Sequence, residues 1–480
     1  MIDLQQLTIV KARKHLDSGD FTTVELVEAY LENIKKKNDE IFGYLEIYSD
    51  VLEQAKRADE MIKSGNASAL TGIPIAVKDN MNVLGKESTS SSKILKGHIG
   101  TYDATVILKL KTMGAVLLGR TNMDEFAMGS STETSAYGKT KNPRDTSRVP
   151  GGSSGGSAAV VASDMALASL GSDTGGSIRQ PAAFCGIVGM KPSYGRVSRF
   201  GLMAMASSLD QIGPFTKTVE DAEIIFDAIA GLDPMDSTTL RTGSTRLTAG
   251  GSGQAVTNKK LVVGVPKDFL SMKGLDKTML ENFEATIAEL KKKGYEVKDV
   301  SLPFMKYSLA TYYILMPAEV SSNLARFDGV RFGLSEQGKD VIDSYKKTRH
   351  VGFGEEVRRR ILLGTYVLSA GYADAFYNKA VKAKKLIRKD FEKAFKEVDV
   401  IVTPTTPSPA WKLGAKMDDP LAMYLADIFT VPANIAELPA ISVPSGTVAE
   451  ENTQLPAGFH IIAPYFREDI LFRVAKDAMK

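Results

Sequence analysis

Cysteine is almost absent from the 480-residue chain, which has Cys185 alone. A single cysteine excludes an intramolecular disulfide framework and fits a reducing compartment. Because it lies in the apolar segment 183–188, we expect a buried structural thiol and not a nucleophile. Histidine is also scarce, with four residues, none in a recognisable active-site segment. A serine nucleophile in this chain therefore needs a base other than histidine.

Long apolar runs and a charge excess are missing too. No segment approaches the ~20 apolar residues that cross a bilayer, and the N-terminus lacks the basic and apolar regions of a signal peptide. Sixty Lys and Arg against 57 Asp and Glu give a net charge of +3, which neither favours nor excludes direct nucleic-acid binding. The sequence predicts a cytoplasmic protein without a membrane segment.

Helix and strand signals alternate along the chain. Residues 22–25 have the spacing of a capping box and precede a helical apolar period. The apolar run 73–77 is typical of a buried strand that ends on Lys78, and residues 103–114 predict a helix followed by a strand at 115–119. This alternation predicts an α/β fold whose sheet is covered by helices on both faces.

We expect one domain over residues 1–480, with no fixed-period repeat and no low-complexity tract outside residues 242–259. Residues 261–300 predict a βαβ unit, with strands at 261–265 and 295–300 around a helix at 278–293, and residues 398–402 predict another buried strand. The expected parts are an N-terminal helical segment (about 1–65), a core (about 66–240), an exposed Gly/Ser/Thr-rich loop (242–259) and a C-terminal α/β part (260–480).

Two Gly- and Ser-rich segments, 149–157 and 171–181, stand out because apolar segments separate them, which a flexible linker would not bury. Neither contains G-x-x-x-x-G-K-[ST] or G-x-G-x-x-G, so a nucleotide site is not indicated. Residues 152–156 match G-x-S-x-G around Ser154, but no buried strand precedes them, as an α/β-hydrolase elbow requires. A lysine can replace histidine as base if burial keeps it neutral, and Lys78 ends an apolar strand.

Three strings resemble the amidase signature family: V-K-D-N at 77–80, P-G-G-S-S-G-G-S at 150–157 and D-T-G-G-S-I-R-Q-P at 173–181. The resemblance implies an α/β/α fold around a large mixed sheet. It also implies a catalytic triad of Lys78, Ser153 and Ser177, with a cis peptide bond before Ser153 and Ser177 as nucleophile. The backbone N–H groups expected to form the oxyanion hole are those of Thr174, Gly175, Gly176 and Ser177.

Longer strings at 121–131, 207–214, 321–329 and 359–365 resemble one branch of that family, the A subunits of tRNA-dependent amidotransferases. This likeness runs from about residue 3 to 476 and implies glutamine as the ammonia donor. The implied glutamine-binding residues are Arg360, with Arg359 as an adjacent candidate, Asp427, and a tyrosine at 312 or 313, here assigned to Tyr312. One departure is P-A-G-F-H at 456–460, where the family commonly has P-x-G-L-Q.

The resemblance implies a heterotrimer that also contains B and C subunits. The B subunit is expected to use ATP and Mg²⁺ and to bind most of Glu-tRNA(Gln), Asp-tRNA(Asn) or both, so we expect no cofactor or metal ion in this chain. Two alternatives stay open at this point. One is a stand-alone amidase with the same triad and another carboxamide substrate, and the other is a non-catalytic scaffold with an amidase fold.

Overall fold

The structure, a computed structural model, describes residues 2–240, 260–271, 274–417 and 419–479, and eleven strands within these ranges form one sheet. They are β1 (Tyr44–Ile47), β2 (Pro74–Lys78), β3 (Val116–Thr121), β4 (Ala168–Asp173), β5 (Val188–Lys191), β6 (Gln211–Thr216), β7 (Val262–Val265), β8 (Glu296–Asp299), β9 (Val400–Pro404), β10 (Ala440–Glu450) and β11 (Thr453–Ile462). Their order across the sheet is β1-β3-β2-β4-β6-β5-β10-β11-β9-β7-β8. Parallel and antiparallel pairs both occur, which confirms the predicted mixed sheet.

Sixteen α-helices lie in the same described ranges, and none of them combines the length and apolarity needed to cross a bilayer. They are α1 (Ile9–Ser18), α2 (Thr23–Ile41), α3 (Val51–Lys63), α4 (Thr105–Thr112), α5 (Gly155–Ala162), α6 (Arg179–Cys185), α7 (Val219–Ile229), α8 (Lys267–Leu270), α9 (Lys277–Lys292), α10 (Ser308–Asn323), α11 (Val341–Gly352), α12 (Glu355–Leu368), α13 (Tyr377–Ala394), α14 (Pro420–Leu425), α15 (Val431–Ile435) and α16 (Glu468–Ala478).

The central strands are buried along their whole length, as β2, β3, β4, β6 and β9 show. Successive side chains of a strand point to opposite faces, so complete burial means that both faces of the sheet are covered here. The predicted α/β architecture is therefore confirmed.

The N-terminal segment contains the predicted capping box. The Thr22 hydroxyl accepts a hydrogen bond from the Glu25 amide at 3.1 Å, and the Glu25 carboxylate accepts one from the Thr22 amide at 2.7 Å. The segment is not entirely helical, however, because β1 pairs antiparallel with β3. The sheet thus begins in the segment that the sequence predicted to be helical.

Other predicted elements are present with small shifts. The helix expected from Asp103 begins at Thr105, because the Asp103 carboxylate accepts hydrogen bonds from the Leu84 amide and Lys111 instead of capping it. The βαβ unit consists of the parallel strands β7 and β8 with α9 between them. The predicted loop 242–259 lies outside the described residues.

The sheet topology brings the carboxyl ends of β2 and β4 together. Strand β2 pairs in parallel with β4, with Val77 aligned to Leu170. Because the carboxyl ends of parallel strands meet at one edge of a sheet, Lys78 and the turn after Asp173 lie at the same edge.

Candidate active site

Lys78, the last residue of β2, is completely buried with its amine among hydroxyl groups. The amine donates hydrogen bonds to the Oγ atoms of Ser153 at 2.8 Å, Ser154 at 2.7 Å and Ser172 at 2.9 Å. Burial lowers the pKa of this amine to about 7, although three carboxylates nearby act in the opposite direction. A substantial neutral fraction near pH 7 is what a lysine base requires.

The first Gly/Ser turn holds Ser153 beside this lysine, and the peptide bond between Gly152 and Ser153 is cis, as the family resemblance implies. A Cβ at Gly152 would lie 2.0 Å from Asp124 Oδ2, so only glycine fits. The Asp124 carboxylate accepts the amides of Ser131 and Thr132, and the Asp124 amide donates to the Ser153 carbonyl at 3.1 Å. The turn is therefore held against Asp124 by close packing at Gly152 and by a backbone hydrogen bond at Ser153.

The second turn holds Ser177, whose exposure is 8%. The Asp173 carboxylate accepts the amide of Gly176 at 2.8 Å and that of Ile178 at 3.2 Å, on either side of the serine. Gly176 has φ +144°, and a Cβ there would lie 2.2 Å from Thr430 Oγ1. The turn thus depends on glycine for both its conformation and its close packing.

Arg179 fixes Asp173 in turn. Its guanidinium contacts both carboxylate oxygens of Asp173, at 2.9 and 3.0 Å, and also donates to Asn434 Oδ1 at 2.6 Å. Burial alone would raise the pKa of the Asp173 carboxyl, but Arg179 outweighs this effect and holds it well below its usual range. His460 Nε2 lies 2.9 Å from Arg179 Nη1, and the histidine at the departure from the family pattern therefore belongs to this buried network.

The structure forms one half of the expected proton relay. The contact between Lys78 and Ser153 is present, whereas Ser153 and Ser177 are not hydrogen-bonded to each other. Within the described residues the Ser177 hydroxyl has no hydrogen-bond partner. Catalytic hydrogen bonds commonly tighten only when substrate binds.

In the described part of the chain, three of the four amides expected in the oxyanion hole are free to donate a hydrogen bond to a substrate. The Gly176 N–H is already bonded to Asp173, so it is engaged in holding the turn. Over the described ranges, the amides of Thr174, Gly175 and Ser177 form no hydrogen bond. These three groups remain the predicted donors to a developing oxyanion.

Asp427 lies beside the nucleophile turn. A Cβ built on Gly176 would be 3.3 Å from its Oδ1 atom. The Ser130 hydroxyl donates to Oδ2 at 2.6 Å, while the buried Oδ1 has no partner among the described residues. Burial raises the pKa of this carboxyl to about 7. A buried carboxylate oxygen without a donor is suited to receive the ammonium group of a ligand.

Arg360 and Arg359 differ in their environment, which separates the two candidates. Arg360 is buried, donates through Nε to Glu356 at 2.7 Å, and lies over the rings of Tyr313 and Tyr424. Burial alone would lower its pKa, but the Glu356 carboxylate outweighs this and raises it. Arg359 lies on the outer face of α12, paired with glutamates on the same helix. The geometry therefore favours Arg360.

The two tyrosines also occupy different places. The Tyr312 side chain packs on Gly175, where a Cβ would lie 2.8 Å from Tyr312 Cζ. Tyr313 stacks on Tyr424 with ring centroids 3.9 Å apart and contacts Tyr312 edge-on. Tyr312 is thus the residue at the nucleophile turn, and Tyr313 supports Arg360.

Several site residues escaped prediction from the sequence. Ser154, dismissed as an elbow nucleophile, and Ser172 both accept hydrogen bonds from Lys78. Arg179 belongs to a quoted string, and its position in a helix otherwise free of charge was a signal that it needs a buried acidic partner. Cys185 is buried, and burial raises the pKa of its thiol to about 12, as expected for a structural residue.

Comparison with known proteins agrees with this geometry. The family model described as Amidase matches residues 25–472. The chain is 51% identical over 476 residues to the glutamyl-tRNA(Gln) amidotransferase A subunit of Thermoanaerobacter pseudethanolicus, covering 99% of this chain and 96% of that one. It is 52% identical over 477 residues to the protein of the same name in Koribacter versatilis, covering 99% and 98% of the two chains.

Solved structures show the same relationship. The crystal structure of the glutamyl-tRNA(Gln) amidotransferase A subunit from Thermotoga maritima has 41% identity and a TM-score of 0.80, covering 99% of this chain and 95% of that one. A 6-aminohexanoate cyclic dimer hydrolase has a TM-score of 0.83 at 27% identity, covering 99% and 97%. The backbone is thus equally similar to both, and only the sequence identity distinguishes them.

Proposed function

The chain belongs to the amidase family, and from this premise we propose that it is the glutamine-hydrolysing component of a tRNA-dependent amidotransferase, which releases ammonia for its partners. Relatives named as A subunits of glutamyl-tRNA(Gln) amidotransferase match at about half identity over nearly the whole chain. The buried amine of Lys78 at 2.8 Å from Ser153 is the observation on which the chemistry rests most.

In the first half of the reaction the Ser177 oxygen attacks the side-chain carboxamide carbon of glutamine. The Ser177 proton passes to Ser153, and the Ser153 proton passes to neutral Lys78. The tetrahedral intermediate then breaks its C–N bond, and the leaving nitrogen takes a proton back along the same route and departs as ammonia. Amides of the turn, from Thr174, Gly175 and Ser177, stabilise the negative oxygen.

In the second half a water molecule attacks the ester carbon of the glutamyl enzyme. Lys78 again receives the proton through Ser153, the Ser177–acyl bond breaks, and the Ser177 oxygen recovers its proton as glutamate leaves. The base is thus needed in both halves, so its loss affects acylation and deacylation alike.

Glutamine selection follows from the two buried charges. The Arg360 guanidinium binds the α-carboxylate, and the unpartnered Asp427 Oδ1 binds the α-ammonium. Tyr312, packed on Gly175, forms the wall between them. An amide without an amino-acid head leaves the buried Asp427 Oδ1 without a partner, which disfavours its binding.

The named relatives are subunits of an amidotransferase, so other subunits share the reaction. In the proposed assembly, the B and C subunits complete a heterotrimer, and the B subunit holds ATP, Mg²⁺ and most of the tRNA. Ammonia from Ser177 then amidates Glu-tRNA(Gln), Asp-tRNA(Asn) or both on the B subunit.

The test is to purify the chain alone and with the B and C subunits, and to measure ammonia release from glutamine and from aliphatic primary amides. We expect preference for glutamine, a rate that responds to the partners, and loss of hydrolysis in Ser177→Ala. Fast hydrolysis of aliphatic amides that ignores the partners would instead identify a stand-alone amidase. Full activity in Ser177→Ala would remove the proposed chemistry altogether.

A further inference from the structure

The outer face of α12 carries large apolar side chains that nothing in the described residues covers. Leu362 is 70% exposed, and its neighbour Leu363 and Tyr366, which lies one helical turn further on, are also exposed. Tyr366 contacts Tyr372 and Phe376, at centroid distances of 4.4 and 6.2 Å, and both rings are exposed as well. These five residues form what we call the leucine-aromatic face.

Residues 341–394, which include α11, α12 and α13, have a distinct charge. They contain thirteen Lys and Arg and six Asp and Glu, a net charge of +7 in a chain whose total is +3. The rest of the chain therefore carries −4. On α13, Lys382, Lys385 and Lys389 are exposed at helical spacing, so part of this charge forms a row on one surface.

The leucine-aromatic face is coupled to the substrate end of the site. Arg360 lies on the buried side of the same helix. At Gly364 the helix packs so closely on α10 that a Cβ would lie 1.8 Å from the Pro317 carbonyl oxygen. Helix α10 carries Tyr312, so a displacement of α12 acts on both residues that we assign to glutamine binding.

We propose that the leucine-aromatic face docks an ammonia-accepting partner protein, through a surface on that partner with apolar side chains surrounded by acidic ones. The inference rests on the proposed function, and it adds the place of docking and its route to the glutamine site. Apolar centres with charged rims are the usual anatomy of protein interfaces. Docking on α12 changes glutamine hydrolysis because Arg360 moves with that helix and Tyr312 moves with α10, which packs against it.

Other occupants fit the face less well. A second copy that used the same face would bring two segments of net charge +7 together, and like charges opposed across an interface disfavour association. RNA stacks on free aromatic rings, whereas these rings contact one another and the most exposed residue is a leucine. The charge complements an acidic protein surface.

The experiment measures binding of the co-purified B and C subunits by the full chain, by Leu362→Asp combined with Tyr366→Asp, and by the matched control Leu108→Asp. Leu108 is 56% exposed on α4, which contributes no residue to the face. We expect the double variant to raise the Kd at least tenfold and to lose stimulation of glutaminase by these partners. Leu108→Asp stays within twofold, and the lone chains keep the same basal hydrolysis.

A charge-reversed variant adds a second measurement. Lys382→Glu with Lys385→Glu should slow association several-fold at low salt and less at high salt, while Lys56→Glu with Arg57→Glu on α3 should not. Unchanged affinity of the Leu362/Tyr366 double variant, with normal binding by the wild type, overturns the docking face alone. A wild type that never binds the B and C subunits removes the proposed function too. A homodimer or tRNA complex lost in the double variant assigns the face to that occupant and also overturns the proposal.

Discussion

At the ends of β2 and β5, Lys78 and Lys191 are both buried, and burial lowers the pKa of each amine to about 7. Both amines are therefore largely neutral above that pH. Their hydrogen-bond acceptors differ. The Lys78 amine lies within hydrogen-bond distance of three serine hydroxyls, whereas Lys191 donates to the carbonyl oxygens of Pro192 at 2.8 Å and Leu438 at 2.6 Å.

The acceptors decide what each lysine can do. A hydroxyl can accept one proton while it releases another, so the Lys78 amine is connected to a chain of exchangeable protons. A carbonyl oxygen accepts only, and Lys191 therefore serves to tie β5 to the segment before β10. A shifted pKa identifies a buried lysine, and its partners show whether it can act as a base.

The largest expected effect separates the two lysines directly. Lys78→Met should lower kcat for glutamine hydrolysis by roughly 10²–10⁴, because the serine loses its base. Lys191→Met should leave kcat within about tenfold, but should lower the free energy of unfolding by about 1–3 kcal/mol, since two buried carbonyls lose their donor. Initial rates and urea unfolding on the same samples measure both quantities.

One result would contradict the assignment of Lys78 as a base and Lys191 as a structural residue. If Lys191→Met, still folded by circular dichroism, lost as much kcat as Lys78→Met, the nature of the acceptors would not distinguish a base from a structural lysine. Lys78→Arg is a useful companion, because it keeps a donor to Ser153 but cannot become neutral. It should be as inactive as the methionine variant.

The next largest expected effect is the pH dependence of kcat/KM for glutamine. Burial is the main cause that raises the pKa of Asp427 to about 7 and lowers the pKa of Lys78 to about 7. Both groups must be deprotonated to act. Protonation below pH 7 therefore removes the base and the ammonium site together. Between pH 8 and 6, kcat/KM for glutamine should fall by about 100-fold in the wild type and by about tenfold in Asp427→Asn.

This variant has its own control. Asp427→Asn should also raise the KM for glutamine at pH 8 about tenfold or more, because an amide replaces the charged acceptor. An aliphatic amide substrate has no ammonium group, so its KM should not respond to the variant. Equal slopes for wild type and Asp427→Asn would show that Asp427 does not titrate in the free enzyme.

Local sequence features, together with the family resemblance, predicted part of this site. An apolar strand that ends on Lys78 and two Gly/Ser turns are short-range patterns, and the structure brings their serines and lysine to one sheet edge. The position of Arg360 was also readable. Val357, Arg360, Gly364 and Val367 repeat at helical spacing and are buried, whereas Arg359 is off that stripe.

Long-range partners were not predictable in this way. Asp173 is held by Asn434, 261 positions away, and Lys191 donates to Leu438, 247 positions away. No periodicity within β4 or β5 indicates such a contact. The sequence likewise hid β1, because a strand of four residues, of which only Tyr44 is buried, gives too little pattern to distinguish it from a helix end.

Both lysines should also make the free energy of unfolding depend on pH, which is a smaller effect. Each amine is largely neutral in the folded protein above pH 7, but stays protonated in the unfolded chain up to its usual value near 10.5. The unfolded state therefore binds more protons in this window, and the free energy of unfolding rises with pH, by up to about 1.4 kcal/mol per unit for each lysine. Either methionine variant should remove about half of that slope, measured by urea unfolding from pH 7 to 9.5. An unchanged slope in one variant would mean that its lysine is charged in the fold.

The smallest effect concerns His460, which lies on the structural side of the comparison. Burial and the Arg179 charge lower the pKa of this imidazole, so it is neutral in the fold and can accept the Arg179 hydrogen bond at 2.9 Å. His460→Gln keeps an acceptor and should leave kcat within about twofold, whereas His460→Leu should lower kcat a few-fold through the loosened Asp173, with KM unchanged.

Below pH 6.5 the unfolded histidine gains a proton that the folded one does not, so the wild type loses stability on acidification and His460→Gln loses about 1.4 kcal/mol less per unit. A wild type and His460→Gln that respond identically between pH 6.5 and 5.5 would show that His460 is charged in the fold, and Arg179 would then be held by Asp173 and Asn434 alone.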